Sequence, residues 1–300
     1  MVALKTEAKK GRGSGRGVML MLGRWTLRFG LYLALCVVAV MFGLPFLWAV
    51  LTSLKTPAEI FIFPPKWIPS SFQWGNYVEI WRQAPFATFL WNSCQVTFLS
   101  IIGQLLSASL VAYGFARFRF PGRDALFLVV LSTMMLPYQI TVIPTFLLYK
   151  WLGWLDTFKP LIVPAYFGGG AFAVFLFRQF FLTIPKEFDE AARMDGANSL
   201  SIFFRILVPL AVPVFTTMGI FSFLWNWNAI FYPLIFLNTT EKFTLALGLR
   251  YFQRTVTAGG KATEHLLMAA AMVMTMPCIA LFLVMQRYFV RGIVMSGIKG

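Results

Sequence analysis

Acidic and basic residues are mixed most densely in one stretch of this 300-residue chain, from Thr183 to Pro213, which lies between long uncharged runs. The charged residues of this stretch are Lys186, Glu187, Asp189, Glu190, Arg193, Asp195 and Arg205. Elsewhere, the single histidine, His265, has no neighbouring ligand set, and the three cysteines lie far apart within apolar runs. A metal site, a disulfide and a catalytic residue are therefore not predicted. The charged stretch must lie outside a membrane, and its carboxylates are candidates for ion pairs with a basic partner.

The same stretch carries the signals of two short helices. Thr183 is a plausible N-cap, and Pro185 sits early, where its missing N–H costs nothing. The acidic residues that follow lie near the positive end of the helix dipole. Gly196 is placed to end this helix in a left-handed turn, and Asn198 or Ser199 can cap a second helix. We therefore predict a helix-turn-helix hairpin presented from a membrane.

Composition indicates that the hairpin belongs to a membrane protein. Hydrophobic residues make up 59% of the chain and charged residues 12%, with a mean hydropathy of +0.73. Such values do not describe a soluble domain. The net charge of +15 would otherwise suggest nucleic acid, but the basic residues flank apolar runs instead of lining one face among aromatic residues. We interpret them as topology signals.

Uncharged runs predict six transmembrane helices between two tails. Residues 1–28 form a basic, glycine-rich tail, 29–290 the six-helix membrane domain with the hairpin loop at 183–209, and 291–300 a C-terminal tail. The spans are predicted at about 29–52, 88–112, 125–149, 160–180, 207–237 and 266–286.

Two of these spans contain residues that disturb helices. The third holds Pro137 and Pro144, so a kinked or broken helix is expected. The fourth has Gly168, Gly169 and Gly170 in its middle. These glycines would weaken the helix and let another helix pass close against it.

The distribution of basic residues predicts the orientation. The side that holds both tails and the hairpin has 17 Lys and Arg, and the opposite side has 9. By the positive-inside rule, both termini and the hairpin face the cytoplasm. The predicted fold class is all-α: a polytopic membrane protein with six transmembrane helices and a cytoplasmic helix-turn-helix.

Two absences from the sequence narrow the function. We expect all six spans to lack the charged residues that secondary transporters and pumps keep as ion or proton sites. The chain also lacks G-x-x-x-x-G-K-[ST]; the nearest stretch, Gly259–Ala262, lacks the first Gly spacing and the Ser or Thr for magnesium. The chain is therefore not expected to be an enzyme with its own ATPase motif. A separate ATPase chain would have to supply the energy.

The hairpin resembles the EAA loop of ABC-transporter permeases. The matching residues are Glu190–Ala192, Gly196 and Ile206–Pro209, except that Val208 stands where the pattern has Leu. In that family the loop is a cytoplasmic coupling helix that docks in a cleft of the ATPase subunit. The alternative is a solvated loop whose acids are surface charges and whose glycine is a simple C-cap. The resemblance implies ATPase coupling by Glu190, Ala191, Ala192, Asp195 and Gly196.

From about residue 30 onward, most of the chain looks like the MalG-type inner-membrane permeases of sugar-importing ABC systems. Several separate motifs in the right order make this resemblance specific, although Ile298 stands where Val is more familiar. The matching stretches are S-L-K-T-P-A-E-I-F (Ser53–Phe61), A-Y-G-F-A-R-F-R-F-P-G-R (Ala112–Arg123), M-M-L-P-Y-Q-I-T-V-I-P (Met134–Pro144), W-N-W-N (Trp225–Asn228), T-L-A-L-G-L (Thr244–Leu249) and Y-F-V-R-G-I-V-M-S-G-I-K-G (Tyr288–Gly300).

This resemblance implies a permease subunit of an ATP-binding-cassette importer for a sugar, oligosaccharide or related polyol, in a bacterial or archaeal cytoplasmic (inner) membrane. It implies a heterodimer with a second, MalF-like permease, two cytoplasmic ABC ATPase subunits and an extracytoplasmic solute-binding protein, with no nucleic acid. No cofactor is expected in this chain, because ATP and Mg would be bound by the ATPase subunits. The mechanism would be alternating access, which only differential interaction with the two states can drive.

Candidate residues for a sugar passage follow from side-chain chemistry. A neutral polyol needs uncharged hydrogen-bonding groups and aromatic faces in a water-filled passage. The open alternative is that the tryptophans face lipid and the amides bond between helices. The candidates are Tyr138 and Gln139 in the third span, and Trp225, Asn226 and Asn228 in the fifth, of which Trp225 and Asn228 would share one helix face.

Three other functions stay open. One is an ABC permease for another small solute, such as glycerol phosphate, or for a peptide; an anionic cargo should require basic residues in the passage, and none is expected in the spans. A second is an ion-coupled secondary transporter, against which the uncharged spans argue. A third is a membrane scaffold that binds an ATPase without transport.

Overall fold

The computed structural model describes residues 11–258 and 263–297, with side chains described for residues 25, 27–254 and 263–286. Within these ranges the regular structure is helical, with no strand. The α-helices are α1 (Gly11–Ser53), α2 (Asn76–Gln83), α3 (Phe86–Arg117), α4 (Arg123–Ser132), α5 (Tyr138–Trp151), α6 (Lys159–Ile162), α7 (Ala171–Thr183), α8 (Glu187–Met194), α9 (Ser199–Ile202), α10 (Val208–Leu210), α11 (Val212–Trp227), α12 (Phe231–Phe236), α13 (Leu245–Ala258) and α14 (Glu264–Gly297). Short 3₁₀ turns lie at Pro57–Glu59, Thr133–Met135, Val163–Tyr166 and Thr240–Lys242, and a π-helical segment lies at Phe203–Leu207.

Four helical segments are long and apolar enough to cross a membrane. They are Leu27–Ser53, Phe86–Arg117, Lys159–Thr183 and Glu264–Gln286. Two further pairs pass the same test but are bent: Arg123–Met135 with Tyr138–Trp151, by 98°, and Ser199–Leu210 with Val212–Trp227, by 79°. Counting each bent pair as one span brings the described part of the chain to six. The prediction of an all-α polytopic membrane protein is confirmed.

The break in the third span lies at Pro137. Leu136 is extended, with φ −77° and ψ 117°, because a residue that precedes proline is disfavoured in the helical region. Helix α5 then begins at Tyr138, and Pro144 lies inside it. The predicted break is therefore confirmed, and it is the first of the two prolines that produces it.

The three glycines interrupt the fourth span. Gly168, Gly169 and Gly170 have φ values of +87°, +61° and +89°, and they separate the turn at Val163–Tyr166 from α7. A Cβ on Gly169 would lie 2.6 Å from the carbonyl oxygen of Gln104 in α3. The prediction of a helix running through these glycines is wrong, because their left-handed conformations end it. The predicted close approach of another helix is confirmed.

Both ends of the described chain are more helical than the predicted tails. Helix α1 begins at Gly11, inside the predicted tail at 1–28, and α14 continues to Gly297, past the predicted boundary at 291. No proline stands between Gly11 and Pro45 or beyond Pro277 to stop either helix. Residues 1–10, the Gly259–Ala262 stretch and residues 298–300 lie outside the described residues.

Helix α3 packs against α7, α11 and α13 and takes part in both buried clusters of the bundle. At its C-terminal half, the fully buried Ala108 and Ala112 allow close packing against α7, where Phe177 is also fully buried. At its N-terminal half, Phe89 belongs to a second buried cluster with residues of α11, α13 and α14. These two clusters fix the positions of the hairpin at one end of the bundle and of α13 at the other.

Candidate coupling hairpin and passage

The first hairpin helix begins later than predicted. Helix α7 runs through Thr183, whose hydroxyl donates to the carbonyl of Phe180 at 2.7 Å. Thr183 therefore ends one helix and is not the N-cap of the next. Ile184 is extended because Pro185 follows it, and α8 starts at Glu187. The three acidic residues of its first turn lie at the positive end of the helix, as predicted.

Gly196 ends α8 in the predicted left-handed turn. Its φ is +82°, and its N–H donates to the carbonyl of Arg193 at 3.0 Å. The N–H of Ala197 donates to the carbonyl of Ala192 at 2.9 Å, which completes a Schellman motif. A Cβ on Gly196 would meet nothing within 4 Å. The demand for glycine therefore comes from backbone conformation, not from space.

The second half of the hairpin is capped by Asn198. Its side-chain oxygen accepts a hydrogen bond from the N–H of Ser201 at 2.8 Å, so Asn198, and not Ser199, is the N-cap. The chain continues through α9, the π-helical segment Phe203–Leu207 and α10, and turns by 79° into α11. The predicted helix-turn-helix is present, and its second half is continuous with the bent fifth span.

A buried ion pair holds the hairpin against the membrane helices. Arg117, the last residue of α3, places its Nε 3.0 Å from Oδ2 of Asp189 in α8, with side chains 2% and 7% exposed. Arg117 also donates from Nη2 to the carbonyl of Ile184 at 3.0 Å. Burial raises the pKa of the Asp189 carboxyl, and the nearby positive charge of Arg117 opposes that rise.

A second contact between α3 and the hairpin lies beside this pair. The hydroxyl of Tyr113 donates to the carbonyl of Ser199 at 3.2 Å. Its ring packs against Phe203, which is 1% exposed. The end of α3 therefore contacts both halves of the hairpin. Sequence reasoning assigned no role to Arg117 or Tyr113; the signal available was an arginine at the end of an apolar run with an acid in the following charged stretch.

The predicted coupling residues divide into an exposed and a buried part. Glu190, Ala191, Asp195 and Gly196 are exposed, whereas Ala192 is buried. Ala191, Ala192 and Asp195 share a shallow groove of about 440 Å³, while Glu190 and Gly196 do not line it. The full lining of the groove is Glu187, Phe188, Ala191, Ala192, Asp195 and Ile206. The hairpin therefore presents a mixed apolar and acidic surface away from the membrane helices.

One charge lies within a predicted span. Arg178 falls within the predicted bounds 160–180 and lies in α7. Its guanidinium covers the ring of Phe127 at 4.1 Å and lies 3.8 Å from a carboxylate oxygen of Asp124. The prediction that all six spans lack a charge is wrong at this position. The arginine is tolerated because it is near the cytoplasmic-side end of α7 in the predicted topology, where an aromatic face and a carboxylate meet it.

The polar residues of the fifth span keep their amide donors within their own helix. Asn226 donates from Nδ2 to the carbonyl of Ser222 at 2.8 Å, and Asn228 donates from Nδ2 to the carbonyl of Leu224 at 2.8 Å. Trp225 is 72% exposed. Asn228 is the first residue beyond α11. The aromatic and amide groups predicted for a passage are therefore at the end of α11, and two of the three, Trp225 and Asn228, are exposed.

The residues predicted from the third span approach this end through α12. Tyr138 and Gln139 are exposed in the first turn of α5. The ring of Tyr138 lies 5.3 Å from that of Phe231 and 6.3 Å from that of Tyr232, both in α12. Helix α12 begins shortly after Asn228. The residues predicted from the third span and those predicted from the fifth therefore lie in neighbouring positions. The described interactions include no direct contact between their side chains.

Trp227 has a different environment from Trp225. It is 2% exposed and stacks on Phe223 with ring centroids 5.3 Å apart. Its indole N–H donates to the carbonyl of Met274 in α14 at 3.0 Å. This residue therefore joins the fifth and last spans and belongs to the packing of the bundle.

At the same end, Asp156 joins two connecting loops. It adopts φ +55° and accepts hydrogen bonds from the N–H groups of Asn238 and Thr239, each at 3.0 Å. Lys242 donates to its carboxylate at 2.9 Å. Burial alone would raise the pKa of the Asp156 carboxyl, but the hydrogen bonds from the Thr239 hydroxyl and N–H, from Lys242 and from the Asn238 N–H hold it below its usual range. The loop that follows α5 is thereby fixed to the loop that follows α12.

An all-α membrane bundle with a helix-turn-helix held at one end is the architecture of a transport-system membrane subunit. The chain belongs to the family described as the binding-protein-dependent transport system inner membrane component, which matches residues 104–295. It is thus a multi-pass inner-membrane protein and a permease component.

Relatives with known names extend this likeness over most of the chain. The chain is 33% identical over 286 residues to the sn-glycerol-3-phosphate transport system permease protein UgpE of Yersinia enterocolitica, which covers 93% of this chain and 95% of the relative. It is 35% identical over 233 residues to the arabinooligosaccharides transport system permease protein AraQ of Halalkalibacterium halodurans, which covers 77% and 81%. A solved bacterial ABC transporter involved in the import of the acidic polysaccharide alginate shares the fold, with a TM-score of 0.75, 24% identity, and coverage of 95% of this chain and 98% of that chain.

Proposed function

We propose that this chain is the permease subunit of an ATP-driven importer for a sugar, oligosaccharide or related polyol. The observation that carries the proposal is the hairpin itself: α8 is fixed to α3 by the Arg117–Asp189 ion pair and presents its other face outward. Membership of the family supports the import role. The names of UgpE and AraQ support a polyol derivative or an oligosaccharide as the cargo class.

In this proposal, α8 docks in a cleft of a cytoplasmic ATPase subunit. Glu190 and Asp195 are exposed and would pair with basic residues of that subunit, while Ala191 and the groove beside it would accept apolar side chains. Ala192 would act indirectly as a buried residue that lines the groove, and Gly196 by ending α8. Closure of two ATPase subunits around ATP and Mg would then move α8, and Arg117 would pass that movement to α3.

The proposed assembly contains further chains. A second, MalF-like permease would form a heterodimer with this one, and an extracytoplasmic binding protein would deliver the cargo. The exposure of α1 supports a lipid or protein neighbour on that side, because none of the hydrophobic window of Leu27–Ser53 is buried within this chain. Both termini and the hairpin would face the cytoplasm.

The passage would lie at the end of α11. The exposed indole of Trp225 offers an apolar face to a sugar ring, and Asn226 and Asn228 offer amide oxygens beside it. Tyr138 and Gln139 would contribute from α5. In such a passage, selectivity depends on uncharged hydrogen-bonding groups.

The test is to purify the complex through this chain, identify the co-eluting subunits and measure uptake in proteoliposomes. We expect ATPase subunits and a second permease to co-elute, and uptake of an oligosaccharide or polyol to require ATP inside the vesicle, on the side that the hairpin faces. Uptake that persists without ATP and collapses with an ionophore would instead support an ion-coupled transporter. A complex that binds ATPase subunits but transports no member of a sugar and polyol panel would contradict the cargo class.

A further inference from the structure

A second polar site lies outside the residues considered so far, where α13 packs beside α14. Helix α13 is amphipathic: Leu245 and Phe252 are buried in the bundle, whereas Arg250 and Arg254 are exposed on the other side. The exposed side borders a cavity of about 800 Å³. Its lining includes Ile230, Arg250, Arg254, Leu267, Met268 and Ala271.

The charges of this cavity are of one sign. Arg250 and Arg254 are four residues apart on one helix, so their side chains share a face. Among the residues whose side chains are described, no acidic residue lines the cavity. Among the described side chains, the ion pairs of this chain are made by other residues, and neither Arg250 nor Arg254 takes part in one. Two guanidinium groups thus border the same cavity without a described carboxylate between them.

We propose that this cavity binds the anionic group, a carboxylate or a phosphate, of an acidic cargo molecule. Arginine forks match the oxygens of both groups and can bind them in a bidentate manner. Leu267, Met268 and Ala271 form an apolar wall from α14 that suits the carbon skeleton of a sugar acid or a polyol phosphate. The proposal rests on the proposed import function and specifies an acidic sugar or an acidic polyol as cargo.

The position of the cavity relates it to the passage. Ile230, one of its lining residues, lies in the short linker between Asn228 and α12. An anionic group held by Arg250 and Arg254 would therefore place the rest of the molecule close to the end of α11. From the sequence, an anionic cargo is expected to require basic residues within the spans. The structure instead brings two arginines to the passage end from the helix that connects the last two spans.

An anionic lipid headgroup offers the same chemistry as the cargo, so the experiment has to separate the two. The complex is placed in phosphatidylcholine nanodiscs, and binding is measured by calorimetry without ATP. The probes are sn-glycerol 3-phosphate against glycerol, and trigalacturonate against maltotriose. We expect each acidic probe to bind at least about tenfold more tightly than its neutral counterpart, because hydrogen bonds to charged groups are the stronger ones.

The variant R250Q/R254Q should remove that difference, and R250K/R254K should keep part of it because the charge remains. The matched control K66Q/R82Q removes two exposed positive charges, one from the loop after α1 and one from α2; neither residue lines the cavity, so the variant should bind like the wild type. If R250Q/R254Q does not assemble, the single variants R250Q and R254Q, each of which should lose part of the preference, provide the comparison. High salt should weaken only the acidic probes.

The proposal is overturned if acidic probes bind the wild type and R250Q/R254Q equally. It is also overturned if the substitutions change only the retention of added phosphatidylglycerol, which would identify a lipid site. Because binding is measured without ATP, these outcomes are independent of import. A complex that takes up neutral sugar with ATP but shows no preference for acidic probes would leave the import function standing and refute the anion site.

Discussion

Arg117 and Asp189 connect the end of a membrane helix to the centre of the hairpin through a contact of 3.0 Å that water barely reaches. Removing one member of a buried pair leaves the other charge unpaired in a poorly solvated place. The pair is therefore the point at which the hairpin can be detached from the bundle by a single substitution.

We expect Arg117→Ala to destabilise the protein by about 3–5 kcal/mol, because the Asp189 carboxylate stays buried without its cation. The measurements are thermal unfolding of the purified complex and the ratio of ATP hydrolysed to cargo transported. Arg119→Ala is the matched control, since Arg119 is exposed two residues away. The double variant R117M/D189L should recover part of the stability. A single Arg117→Ala variant as stable as the wild type would refute this role for the pair.

Gly196→Asp should leave membrane insertion intact and uncouple ATP hydrolysis from uptake. The reason is conformational: φ of +82° disfavours a residue with a Cβ by about 1–2 kcal/mol, so the turn after α8 would shift. Gly196→Asn should retain more coupling, since asparagine adopts the left-handed region more readily.

Gly168→Ala serves as the control for Gly196, because Gly168 also has a positive φ, of +87°, and open space around its Cα but lies outside the hairpin. It should cost similar stability without a change in the ratio of hydrolysis to uptake. Normal coupled transport by Gly196→Asp would show that the turn has no coupling role.

Truncation of two tryptophans in the same helix should change different properties: the stability for Trp227 and the uptake for Trp225. Trp227→Ala should destabilise the protein by about 3–5 kcal/mol, because a buried ring and its bond to Met274 are lost. Trp225→Ala should leave unfolding within about 0.5 kcal/mol of the wild type, as an exposed position does, and should raise the KM for uptake.

Trp151→Ala is the control for Trp225, since Trp151 is 81% exposed and was not assigned to the passage. Its uptake should match that of the wild type. Equal KM values for the Trp225→Ala and wild-type complexes would exclude Trp225 from the passage and favour the lipid-facing alternative.

The loop after α1 should resist acid because of Glu59. Its carboxylate accepts the Ser70 N–H at 3.0 Å and the Thr56 N–H at 3.3 Å, and the bonds from Ser70, followed by those from Thr56, lower its pKa to about 2. A lowered carboxyl pKa stabilises the folded loop fully above the unfolded pKa of about 4.3, and this contribution is lost as the pH falls through the folded value.

Amide exchange of Ser70, corrected for its intrinsic rate, should therefore stay slow from pH 5 down to pH 3 in the wild type. Glu59→Gln should make that amide exchange faster at every pH in the range, whereas Glu79→Gln should not, because the Glu79 carboxylate accepts from Gln83 within α2. An opening of the wild-type loop centred near pH 4 would contradict the role of Glu59.

Local sequence signals predict the two helices of the hairpin better than they predict the contacts between the hairpin and α3. Gly196 and Asn198 act through backbone conformation and a bond three residues away, so the sequence around them was sufficient. Thr183 was misassigned because Pro185 fixes Ile184 in an extended state and lets the preceding helix run on. Arg117 and Asp189 were not paired in advance, because they are far apart in sequence and meet only once α3, α7 and α8 have packed.

The same limit applies to the spans. Pro137 signalled the break in the third span, but the left-handed turn of Gly168–Gly170 was expected only to weaken the fourth. Long-range packing also separated Trp225 from Trp227, which look alike in sequence. The cavity of Arg250 and Arg254 depends on how α13 lies against α14, and no spacing within the sequence signals that arrangement.

Asp156 has a mechanical consequence for a transporter that alternates between two states. Since one carboxylate joins the loop after α5 to the loop after α12, the ends of the third and fifth spans are held together. Opening at this end would then have to move the ends of the third and fifth spans together. The bundle would have to separate on a side that Asp156 does not bridge.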